Sequence, residues 1–205
     1  MKFAAGTFWG AVAVLASTLT AGAQFYKIHG LEAGVNATGR YVTPIGNENA
    51  RTPQPTEGVG FLLNLREQPF SWAGIELNYG YNQFNERYDT PNGVGSQRIN
   101  VPTVQHEATI GYVAHVKTMW GVQPFLVVGG GATDFVPRQP APNQWRGAGM
   151  YEVGFDVIPK WTPRVGFRFQ QHALIYKAPD FYQDSLRSNT WVHQSSPAAG
   201  VFMRF

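Results

Sequence analysis

The sequence contains no cysteine, which excludes disulfide staples and thiolate chemistry. It is also poor in charge. Asp, Glu, Lys and Arg make up 14% of its 205 residues, against about 25% in an ordinary soluble domain. The net charge of +3 is too small to point to nucleic acid. Beyond the N-terminal segment no stretch approaches about 18 consecutive apolar residues, so no membrane helix is expected there. The five histidines, His29, His106, His115, His172 and His193, lack metal-ligand spacing. No metal and no cofactor are expected. "VVGGGATDF" has a triple glycine but neither the Gly-Lys-Ser/Thr of a phosphate loop nor a following helix, so it reads as a bend or close approach in a strand.

What is plentiful is aromatic residues, at 14%, together with 23 glycines and 14 prolines. Many turn formers, many aromatics and few charges suit short strands at a lipid interface. The N-terminus, "MKFAAGTFWGAVAVLASTLTAGAQF", has one Lys, an apolar stretch and then Ala21-Gly22-Ala23. These are the parts of a secretory signal peptide, with cleavage expected after Ala23. The apolar core, Phe8 to Ala16, is short for a membrane helix of about 20 residues. The expected organisation is a leader at 1–23 and one domain at 24–205.

Alternation with period two marks the strands. "GLEAGVNATG" sets Leu31, Ala33, Val35 and Ala37 against Glu32, Gly34 and Asn36. "EGVGFLLNLRE" sets Val59, Phe61, Leu63 and Leu65 against Gly58, Gly60, Asn64 and Arg66. "WAGIELNYGYNQ" sets Ile75, Leu77, Tyr79 and Tyr81 against Glu76, Asn78, Gly80 and Asn82. The same pattern recurs in "VQHEATIGYVAHVK", "MYEVGFDVI", "RVGFRFQQHALIY" and the final "GVFMRF". "VQPFLVVGGGAT" is an eighth strand whose facing stays open, because both its faces are apolar or Gly. Each strand fits the 9–11 residues, roughly, of a tilted membrane strand. Short connections lie around "REQPFSW", "KTMWG" and "IPKWTP", and long ones at about 38–57, 84–103, 134–149 and 177–192. The expected fold is all-β: an eight-stranded antiparallel transmembrane β-barrel, with a polar interior and an apolar lipid-facing exterior.

These features resemble the small eight-stranded outer-membrane barrels of the OmpA and OmpX type. The resemblance implies a place in the outer membrane of a Gram-negative-type bacterium, contact with its lipid and lipopolysaccharide, and a monomer. It also implies that the last strand, through Val201, Met203 and Phe205, is read by the outer-membrane assembly machinery. OmpA carries a peptidoglycan-binding domain after its barrel. This sequence stops at the last strand, so such anchoring is not expected.

Three groups of residues are candidates for function. The first is the charges on the polar face: Glu32, Arg66, Glu76, Glu107, Lys117, Glu152, Asp156 and Arg168. Charges inside a narrow barrel need partners. They form either a static plug or a gate through which ions or small solutes pass. The second is "WVHQSSP", in which His193 and Ser195 share a face that points to lipid. It resembles the His-x-Ser of the lipid A deacylases of the PagL type, where the Ser is the nucleophile and the His the base. There the motif continues with Asn; here Ser196 follows, and no carboxylate is placed to orient His193. The third is the aromatics and arginines of the long loops: Tyr41, Arg51, Tyr88, Arg98, Arg138, Trp145, Arg146, Phe181, Tyr182 and Arg187. Arginine suits phosphate, so these are candidates for lipopolysaccharide or an extracellular partner. The leading expectation is a structural and surface-interaction role with no catalysis. A pore and a lipid A hydrolase are the alternatives.

Overall fold

The computed structural model describes residues 30–45, 55–92, 95–187 and 190–205. The expected leader lies outside them. Eight strands follow in chain order: β1 (Leu31–Ile45), β2 (Gly58–Glu67), β3 (Ala73–Asn92), β4 (Gly95–His115), β5 (Val122–Pro137), β6 (Gln144–Val157), β7 (Val165–Lys177) and β8 (Trp191–Arg204). Every neighbour is antiparallel, and β8 pairs back onto β1 to close the barrel. Closure removes both sheet edges, which is what lets a sheet stand in lipid.

The register fixes the tilt. Glu32 lies opposite Arg66, Arg66 opposite Glu76, and the path continues through Gly111, Gly129, Met150, Leu174 and Gln194. Gln194 lies opposite Val42, so the path that left β1 at Glu32 returns ten residues further on. Ten residues are about 33 Å of strand, spread over eight strands about 4.8 Å apart, which tilts the strands by about 41°.

The two faces divide as the alternation predicts. Val35, Leu63, Ile75, Leu77, Ile110, Tyr112, Val153, Phe155, Phe169, Val201 and Met203 are exposed on the outside. Glu32, Asn36, Asn64, Arg66, Glu76, Asn78, Glu152, Asp156 and Arg168 are buried inside. An exterior this apolar calls for an apolar medium. Exposed aromatics gather at both ends, with Phe70, Trp72, Trp120 and Trp161 by the short turns and Tyr41, Trp145, Tyr182 and Trp191 towards the other end.

Three expectations need correction. The segments 84–103 and 134–149 are largely strand rather than loop. β3 and β4 stay paired as far as Asn92 and Gly95, and the β5–β6 connection is only 138–143. Their Pro, Asn and Arg content reads as loop, yet the inward alternation of Asn82, Phe84, Glu86 and Tyr88 runs on without a break. Strands are accordingly longer than expected, reaching 20 and 21 residues in β3 and β4. Lys117 is not inside. β4 ends at His115, and Lys117 is exposed in the turn that follows. The interior is polar, as expected, and holds an apolar cluster as well. β5, whose facing the sequence left open, turns Gln123, Phe125 and Val127 inward and Leu126 and Val128 outward. Phe125, Val127, Phe135, Met150 and Leu174 form an apolar cluster within the barrel.

Candidate functional site

Near the short-turn end, three arginines face three carboxylates across the interior. Arg66 Nε donates to Glu76 Oε2 at 2.6 Å, and its Nη1 to Asp156 Oδ2 at 3.3 Å. Arg168 grips Asp156 with two bonds, Nε to Oδ1 at 2.8 Å and Nη2 to Oδ2 at 2.9 Å. Its Nη2 also reaches Glu32 Oε2 at 2.9 Å, and Arg204 Nε donates to the other oxygen of Glu32. The planar fork of arginine makes this bidentate bridging possible. The Phe125 ring lies 4.2 Å beneath the Arg66 guanidinium, and the Phe202 ring 4.9 Å from that of Arg168. Glu32 and Glu76 come from β1 and β3, Asp156 and Arg168 from β6 and β7. The network therefore spans the lumen rather than lining one wall.

Above it, Asn36, Asn64 and Asn78 form a side-chain ladder, and Asn78 Nδ2 donates to Glu152 Oε1 at 2.7 Å. His172 is held between two carboxylates. Its Nδ1 is 2.7 Å from Glu152 Oε1, and its Nε2 makes an ion-pair contact of 2.7 Å with Glu107 Oε1. Gly80 makes room for this arrangement, because a Cβ there would stand 2.8 Å from Glu107 Cδ.

The third layer centres on Arg40, which is fully buried. Its Nε donates to Gln105 and Gln194, its Nη2 to the Tyr176 hydroxyl at 3.0 Å, and its guanidinium lies 3.4 Å over the Phe84 ring. Glu86 is 3.9 Å away. Over this layer the segment after β7 folds into the mouth. Phe181 and Leu186 are buried against Tyr88, Val101 and Val192. Gln144 fastens the segment, accepting from the backbone N–H of Asp180 at 2.8 Å and of Phe181 at 2.9 Å while donating to Asp180 Oδ1 at 2.6 Å. Arg146 adds an ion pair to Asp180 at 3.2 Å. Burial raises the Asp180 carboxyl, but the bonds from Gln144 and Tyr182 and the charges of Arg146 and Arg187 outweigh it and hold the group below the usual aspartate range.

Of the charges expected inside, Glu32, Arg66, Glu76, Glu107, Glu152, Asp156 and Arg168 are brought together and Lys117 is not. Arg40, Glu86 and His172 join them unforeseen. Each keeps the inward phase of its own strand, so carrying the alternation one or two inward positions further would have found it. Ser195 and His193 both face outward but do not meet. Ser195 Oγ accepts from Gln171 Nε2 at 2.7 Å, while His193 Nε2 engages the Tyr151 hydroxyl at 2.8 Å. Val201, Met203 and Phe205 are exposed, and the Phe205 N–H donates to the Leu31 carbonyl at 2.9 Å. Among the loop candidates, Arg138, Trp145, Tyr182 and Arg187 are exposed, whereas Tyr88 and Phe181 are buried in the mouth. Arg51 lies outside the described residues, and Arg98 is placed only by its backbone in β4.

No known family profile and no curated protein matches the sequence. Solved structures do match. Neisserial surface protein A superposes with a TM-score of 0.59 at 11% identity, over 85% of this chain and 97% of that one. Ail of Yersinia pestis, solved with the heparin analogue sucrose octasulfate, gives 0.53 at 13%, over 86% and 99%. OprG of Pseudomonas aeruginosa gives 0.51 at 16%, over 89% and 98%. At such identities the likeness speaks for the fold. With its closed register, its polar lumen and its apolar wall, the chain has the fold of the small eight-stranded outer-membrane β-barrels.

Proposed function

We propose that this protein is an integral outer-membrane barrel that does not conduct and does not catalyse, and whose role is structural and interactive at the cell surface. The observation that carries this is the filled lumen. The ion pairs Arg66–Asp156 and Arg168–Glu76 cross it, an apolar cluster occupies its middle, and residues 178–187 cover its far end. A gate would need a charge free to change partners, and Arg168 is already held by Asp156 and Glu32 at once. Lipid A hydrolysis draws no support from the geometry, since Gln171 and Tyr151 engage the two residues that would have to act together. Surface interaction is supported by the exposed Arg87, Arg138 and Arg187, whose forks suit phosphate or sulfate. The similar fold of Ail has been seen with a sulfated sugar. Outer-membrane lipid and lipopolysaccharide, the assembly machinery acting on the last strand, and a monomeric state complete the proposal.

The test is conductance of the refolded protein in a planar bilayer. A folded, silent barrel is the expected result. Reproducible current steps that change on Glu76→Gln would overturn it and make the charged lumen a path.

A further inference from the structure

On the lipid-facing wall of β6, β7, β8 and β1 lies a groove of about 530 Å³. The register lays it out in rows. The lowest row is apolar, with Phe155, Phe169, Ala199 and Ala37 side by side. The two phenyl rings stack at 5.4 Å and wall the groove, and the two alanines form its floor. One row up, Gln171 stands beside Pro197, which has no N–H to give β1. The β1–β8 pairing is indeed interrupted there, resuming only at Tyr41 and Ser195. Just beyond the groove's lining the next row brings Ser195, whose oxygen accepts from Gln171. Ser195 thus keeps its own O–H to donate, and Gln171 its carbonyl to accept.

Gln171 and Ser195 pair with each other, yet each keeps a hydrogen-bonding group that hydrocarbon does not satisfy. Trp191 is the outward residue at the loop end of β8, where an indole marks the membrane–water interface. Ser195 is two outward positions below it, about 13 Å along the strand and, with the tilt, about 10 Å deeper. That depth is inside the hydrocarbon and beneath the ester groups of a bilayer lipid. A headgroup does not reach it, but an oxygen on the acyl chain does.

We infer that this groove is a binding site for a membrane lipid whose acyl chain carries a hydroxyl. The chain lies along Ala37 and Ala199 against the two phenyl rings, and its hydroxyl exchanges hydrogen bonds with Ser195 and Gln171. The inference rests on the membrane placement proposed above.

The experiment places the refolded protein in vesicles holding equal amounts of two phosphatidylglycerols, one with stearoyl chains and one with mid-chain hydroxystearoyl chains. The lipids retained after gentle detergent extraction are counted by native mass spectrometry. The wild type retains the hydroxylated lipid about tenfold over the plain one, the ratio for one net hydrogen bond. Replacing Ser195→Ala and Gln171→Leu together brings the ratio to unity. Ala199→Phe, which fills the floor, lowers retention of both lipids. Equal retention by the wild type, or a preference that survives the Ser195→Ala, Gln171→Leu change, would overturn the site. Should Ala199→Phe not fold, the polar variant alone decides, since it leaves the alanine floor untouched. A protein that fails to insert at all, showing no heat-dependent gel mobility, refutes the membrane placement instead and the inference with it.

Discussion

Arg168 shows how a single residue can carry a layer of this barrel. It is 1% exposed, bonds Asp156 twice and reaches Glu32. Removing it leaves Asp156 only its longer contact with Arg66 and Glu32 only Arg204, and breaking a buried ion pair by deleting one partner costs about 3–5 kcal/mol. Arg168→Ala is therefore expected to lower the stability of the refolded barrel by that amount, read as a shift of the urea midpoint. A midpoint that stays in place would mean the lumen is wet enough to solvate the freed carboxylates. The same residue was visible in the sequence as a charge on the polar face of "RVGFRF". Its partners were not, because Asp156 is its register neighbour on β6 while Glu32 reaches it from β1, past the intervening β8.

Among the elements, the segment that follows β7 is the least like a loop in behaviour. Phe181 and Tyr182 both have positive φ, at 48° and 59°, which bulky residues rarely adopt. Tertiary contacts hold them there, chiefly Gln144 and the Arg146–Asp180 pair. Because the Asp180 carboxyl is held below its ordinary range, its contribution to this latch is fully present above the unfolded aspartate value of about 3.9 and is lost as the pH falls through the lower folded value. Hydrogen exchange at the Asp180 and Phe181 amides is expected to accelerate on acidification below that range, beyond the intrinsic pH trend. In Asp180→Asn this extra acceleration disappears. Exchange that is identical in the two proteins at every pH would show that Gln144 alone holds the segment.

For the molecule as a whole, stability rests on closure. With no cysteine there is no covalent staple, and the β8–β1 seam must hold through its own pairing. Phe205 belongs to that seam through its bond to Leu31, with its ring exposed beside Met203 and Val201. The unboiled protein should migrate differently from the boiled one in a denaturing gel, as a closed barrel resists detergent. Deleting Phe205 should reduce the heat-modifiable fraction recovered from outer membranes while leaving refolding in vitro intact. Equal recovery in cells would remove the assembly role proposed for the last residues.

At this scale the sequence by itself determined the strand number, the antiparallel order and which face of seven strands turns outward, because a period of two writes the facing of each residue directly into the chain. It placed Arg66, Glu76, Glu152, Asp156 and Arg168 inside for the same reason. It could not say where β3 and β4 end, since their outer halves keep the alternation but in residues that also make loops. It left β5 undecided, since Phe125 and Leu126 are equally apolar and only closure against Met150 and Leu174 selects which one turns inward. The ten-residue stagger, the bridge from Arg168 to Glu32, the capping of the mouth by Phe181 and the meeting of Gln171 with Ser195 belong to the tertiary structure alone. Each joins strands that the alternation treats one at a time, and register between strands is set by closing the whole sheet.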